Sequence, residues 1–130
     1  MSTPKPSIAQ NQKAILSAGH NSALLRSRNA LIQAAGYQVV TTKESAVLLD
    51  LAQKRHFDAV VLCNSIPAHL RENMARELKE LKPNLPLVMI CTADEKSQFR
   101  SLADEVVIAE HGVSQPLIEV LSKLAGEPED

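Results

Sequence analysis

Cys63 and His20 are the side chains with the most chemistry to offer: each follows a strand-like run, so both are expected at the carboxyl edge of one sheet. There the pair could act as a redox thiolate or as two ligands of a soft metal. His69 and His111 could reach the same edge from loops, but no HxxxH spacing binds them together. Cys63 and Cys91 both sit in apolar runs without CxxC spacing, which argues against a disulfide scaffold and a zinc knuckle. A buried apolar thiol beside a solvent-facing histidine is the preferred reading, because free cysteine is commonly a core residue. No general base is held against a nucleophile, and neither a glycine-rich phosphate loop nor a metal triad is present. The chain therefore reads as neither an enzyme nor the holder of a cofactor.

The elements that must position these residues alternate between strand and helix. Ala14–Ala18 suits a buried strand, and Asn21 or Ser22 can cap a helix over about 23–35 that ends at Gly36. In that helix Leu24, Leu25, Leu31, Ile32 and Ala35 make the apolar stripe, while Arg26, Arg28 and Asn29 are expected toward water. The β-branched run 37–41 reads as a second strand, and Thr41 with Glu44 has the spacing of a capping box for a second helix. Phe57–Cys63 is nearly all apolar, as in a parallel strand covered on both faces.

Beyond Pro67, a charged helix over about 71–82 should turn Met74, Leu78 and Leu81 inward. Its alternating charges fit a solvated surface better than a docking face. Pro83 and Pro86 launch a fourth strand over 87–92, a short helix follows from Asp94 to about Leu102, and Glu105–Ile108 forms a fifth strand. Ser114 is expected to cap the last helix, over about 115–124, with Pro116 in its first turn. Five such units predict an α/β fold: a doubly wound, five-stranded parallel sheet of order 2-1-3-4-5 with helices on both faces.

A chain of 130 residues, 45% of them apolar, suits one core. The expected organisation is a mobile N-terminal tail over 1–12, the domain over 13–125 and an acidic C-terminal tail over 126–130. Fourteen basic residues scattered among 15 acidic ones leave no basic face for nucleic acid and no polybasic stretch for a membrane. No apolar run is long enough to span a bilayer, and residues 1–12 contain no apolar signal segment, so a cytoplasmic protein with protein partners is expected.

Three stretches carry order and spacing together: Ala35–Val40, Phe57–Leu62, and Lys82–Val88 leading to Thr92-Ala93. With them, residues 13–125 resemble the bacterial response-regulator receiver domain of the chemotaxis type, which is flavodoxin-like. The resemblance places the family's magnesium-holding acidic pair on Gly19 and His20, and its phosphoacceptor aspartate on Cys63, with Pro67 four residues on. Its switch threonine falls on Thr92. Its lysine falls on Ala109, or on Gln115 in a later register, and its aromatic switch residue falls on Val106.

Glycine, imidazole and thiol supply neither a carboxylate nucleophile nor hard oxygen ligands. Asn64 points to the other face, Asp58 lies at the far end of the strand, and Asp94 alone makes a poor magnesium site. The resemblance thus implies a degenerate receiver acting in two-component-type signal transduction as a phosphorylation-independent interaction module. Its partner would be a histidine kinase, a regulator or an output protein, with a homodimer left open. The family's partner face would include Val106, Val107 and Ile108. The alternative is a small-ligand, metal or redox sensor built on His20, Cys63 and Thr92.

Overall fold

The computed structural model describes residues 12–128. Five parallel strands, β1 (Ala14–Ala18), β2 (Gln38–Thr42), β3 (Ala59–Leu62), β4 (Leu87–Cys91) and β5 (Glu105–Ile108), form one sheet in the order β2-β1-β3-β4-β5. Among the described residues five α-helices connect or follow them: α1 (Ser22–Ala34), α2 (Ser45–Lys54), α3 (Ala68–Leu81), α4 (Lys96–Arg100) and α5 (Ser114–Ala125). Short 3-10 turns occupy Ala93–Glu95 and Ala109–His111. This is the expected flavodoxin-like arrangement.

The sheet has two apolar faces because β1, β3 and β4 are buried along their whole length. One face packs Leu16, Val60, Leu62 and Met89 against Leu48 of α2, Met74 and Leu78 of α3, and Phe99 of α4. The other packs Ile15, Val61, Val88 and Ile90 against Ile32 of α1 and Leu117 and Leu121 of α5. Alternation along each strand sends successive side chains to opposite cores. No helix among the described residues is long and apolar enough to cross a membrane.

Helix ends follow local chemistry. Asn21 caps α1 by accepting the N–H of Leu24 at 2.9 Å. Gly36, at φ 106°, takes the left-handed turn after α1 that other residues avoid. The capping box expected from Thr41 and Glu44 does not form. Thr42 instead accepts the Glu44 N–H at 3.2 Å, while Thr41 accepts from Asn29 at 2.7 Å, because strand pairing shifts the turn by one residue. Ser114 begins α5 rather than capping it; Val113 is the boundary residue.

Three burial expectations are also corrected. Arg28 turns inward to Asn64. Arg71 belongs to a helix that starts three residues earlier than expected and is buried, not solvated. Leu81, near the C-terminal end of α3, is 37% exposed. Of the expected N-terminal tail, residues 1–11 lie outside the described residues. Gly126–Pro128, placed in the C-terminal tail, fold back: Tyr37 donates its hydroxyl to the Gly126 carbonyl at 2.8 Å.

Candidate functional site

Strand register brings the expected site residues to one edge. Ala18 is abreast of Leu62, so Gly19 and Cys63 leave the sheet side by side. Cys91 is abreast of Ile108, so Thr92 and Ala109 do the same at the ends of the next two strands, β4 and β5. His20 follows Gly19 and is exposed, whereas Cys63 is 1% exposed. No hydrogen bond links the His20 ring to the Cys63 thiol, which lies 3.6 Å from Asn64 Oδ1.

The Gly19–Cys63 contact is closed by packing. A Cβ on Gly19 would stand 3.0 Å from Cys63 Cβ and 3.2 Å from both Leu25 Cδ1 and Ser65 Oγ. Ser65 Oγ accepts the backbone N–H groups of His20 at 2.9 Å and Asn21 at 3.1 Å. The loop donors that could face an anion are thus taken by a serine hydroxyl from the β3–α3 loop.

On the β4 side, Thr92 opens the turn into α4. Its N–H donates to Glu95 Oε1 at 3.0 Å, and the other carboxylate oxygen accepts from Arg71 at 2.8 Å. Burial pushes the Glu95 carboxyl up, but hydrogen bonds from Arg71 and the Thr92 amide outweigh it and hold the group below its ordinary value. Burial, followed by the nearby Glu95 charge, raises the Cys91 thiol and keeps it protonated. Cys91 packs in the core under α3 and α4, and both cysteines are free thiols.

The other residues singled out from sequence lie in separate places. Ala109 starts a 3-10 turn, and Gln115 donates to Glu119 on the surface of α5. Asp58 sits at the opposite edge, accepting the Ala14 N–H at 2.8 Å. Asp94 and His111 are exposed. Among the described residues no three His, Cys, Asp or Glu side chains converge as a metal site. Of the expected partner face, Val106 and Ile108 are half-buried against the α4 side, but Val107 is buried in the α1–α5 core and offers nothing to a partner. Alternation along β5 is the reason.

Three residues that hold this edge were missed from sequence: Ser65, Arg71 and Glu95. Thr92-Ala93-Asp94-Glu95 has the spacing of a capping box, a signal that could have found Glu95. Ser65 and Arg71 carry no comparable mark.

No family model matches the sequence. A search of curated proteins also finds no match. Solved structures do match. A response regulator receiver domain protein from Clostridium thermocellum superposes with a TM-score of 0.76 at 18% identity, covering 87% of this chain and 94% of that one. Response regulator TrrA from Thermotoga maritima, determined with Mg2+ and BeF, gives 0.77 at 22% identity, with 86% and 98% covered. A response regulator receiver protein from Sinorhizobium medicae gives 0.73 at 23% identity, with 89% and 96% covered. With its strand order, its helices on both faces and near-complete coverage of these chains, the molecule has the fold of response-regulator receiver domains.

Proposed function

We propose that this chain is a degenerate receiver of two-component-type signalling that works without phosphate, as a cytoplasmic protein-interaction module rather than an enzyme. The observation that carries this reading is the closed contact between Gly19 and Cys63, where a Cβ would already meet its neighbour at 3.0 Å. A thiol that is 1% exposed replaces the carboxylate nucleophile, and Ser65 consumes the two loop amides beside it.

Magnesium does not fit this edge. The ion needs several oxygen ligands in octahedral array, and Gly19, His20 and Cys63 supply no side-chain oxygen. The Thermotoga protein, by contrast, was captured with Mg2+ and BeF. What remains intact here is the scaffold, and with it the surface of α4 and β5, to which Val106 and Ile108 contribute. A kinase, regulator or output protein would dock there.

The test is incubation of the purified chain with acetyl phosphate and Mg2+, read by intact-protein mass spectrometry and followed by capture from the native lysate. No acid-labile adduct and donor-independent retention of a signalling protein are expected. A stoichiometric acid-labile adduct on this chain would overturn the reading.

A further inference from the structure

Arg71 is 2% exposed and donates in three directions. Its Nε bonds the Ile66 carbonyl at 2.8 Å in the loop before α3, and one terminal nitrogen bonds the Ile90 carbonyl of β4 at 3.0 Å. The other meets Glu95 Oε2 at 2.8 Å. The guanidinium also lies over the Phe99 ring of α4, 4.8 Å from its centroid. β3 pairs with β4 only as far as Leu62 with Met89. One residue further on, Arg71 reaches the Ile90 carbonyl, continuing the link between the β3–α3 loop and β4 where the ladder has ended.

Glu95 passes this connection to the next segment. One oxygen accepts from Arg71 and the other from the Thr92 N–H at 3.0 Å, so Thr92 is tied through Glu95 and Arg71 to Ile66. The following N–H, that of Ala93, donates to Glu110 Oε1 at 3.0 Å, which joins the same segment to the turn after β5. A bidentate carboxylate between a buried guanidinium and a backbone amide fixes position and direction together. The whole β4–α4 connection is therefore held from within the protein.

We propose that the pair of buried Arg71 and half-buried Glu95 is a permanent intramolecular lock that holds Thr92 through Arg100 in a single conformation. It rests on the reading above only in its consequence: the α4–β5 face would be presented to a partner without any modification event. Its physical content belongs to the isolated chain and stands or falls there.

The experiment is residue-resolved amide hydrogen exchange on the full chain, comparing wild type with Glu95→Gln. That substitution keeps the shape, removes the charge and leaves Arg71 its two carbonyl partners. Amides of residues 92–102 are expected to exchange at least about tenfold faster, with those of Leu16 and Val61 in the central strands changed less than about twofold. Uniform acceleration across the sheet, or no change in residues 92–102, would overturn the lock. Should Glu95→Gln fail to fold, Arg71→Met with Glu95→Met removes the pair without stranding a buried charge, and the same local pattern is required. A phosphodonor adduct on wild type would refute the phosphate-free reading and leave this exchange pattern untouched, so the two failures are distinguishable.

Discussion

Gly19 and Cys63 meet across β1 and β3 so closely that the smallest possible side chain on the first would press on the second: the Cβ-to-Cβ distance would be 3.0 Å. Leu25 Cδ1 and Ser65 Oγ close the remaining sides at 3.2 Å. Glycine is needed here for space, not for backbone conformation, since its φ is not among the positive ones. Gly19→Ala should therefore cost about 1–3 kcal/mol by overpacking, measured by urea denaturation. A loss below about 0.5 kcal/mol would mean that the neighbours give way and the edge is not closed.

Ser65→Ala tests the other half of the closure. It removes the acceptor of the His20 and Asn21 amides, which then turn to water because both residues are exposed. The expected cost is about 1 kcal/mol, with faster amide exchange confined to residues 20 and 21. Unchanged exchange at these two amides would show that the serine does not hold the loop.

The parts of this fold that could be read from sequence are those whose cause is local. Phe57–Cys63 and residues 87–92 read as strands because nearly every side chain is apolar, and Gly36 reads as a stop because few residues tolerate φ 106°. The burial of Arg28 and Arg71 has no local mark because their partners are far along the chain: Asn64 is 36 residues from Arg28 and Glu95 is 24 from Arg71. Helical periodicity assigns a charged residue to water unless its partner is known. A surface drawn over the whole run 106–108 takes in Val107, although alternation turns this middle residue into the core. At the site, the sequence alone shows glycine, imidazole and thiol at positions 19, 20 and 63, but not the closure, since that depends on Ser65 folding over from another loop.

Two ionisable groups give opposite pH signatures. Glu95 is held below its ordinary value of 4.5, so its contribution is present above that pH and lost as pH falls through the lower folded value. The stability difference between wild type and Glu95→Gln should shrink on acidification below about pH 4.5. Tyr37 is raised above 10.0, first by burial and then by Glu127 and Asp58. Its contribution is complete below 10.0 and lost as pH rises through the higher folded value. Tyr37→Phe, which removes the bond to the Gly126 carbonyl, should cost about 1 kcal/mol at pH 7, with the cost diminishing above pH 10. Melts of the three proteins at acid, neutral and alkaline pH check both signs; a Tyr37→Phe cost that grows above pH 10 would contradict the assignment.

The two buried arginines should respond oppositely to loss of charge. Among the described residues Arg28 makes one hydrogen bond, to Asn64 Oδ1 at 3.1 Å, and its buried Nε meets no partner. No carboxylate among the described residues lies within 4 Å of it as an ion pair. Burial of an uncompensated guanidinium offsets what its packing contributes, so Arg28→Met should alter stability by less than about 1 kcal/mol, or raise it. Each of the three Arg71 guanidinium nitrogens has a partner and its side chain is 3% exposed, so Arg71→Met leaves the Ile66 and Ile90 carbonyls and the Glu95 carboxylate without this donor. That change should cost on the order of 3 kcal/mol. Parallel urea titrations of the two variants decide the matter. Equal losses would mean that burial alone, and not the completeness of the hydrogen-bond set, determines what an arginine is worth in this sheet.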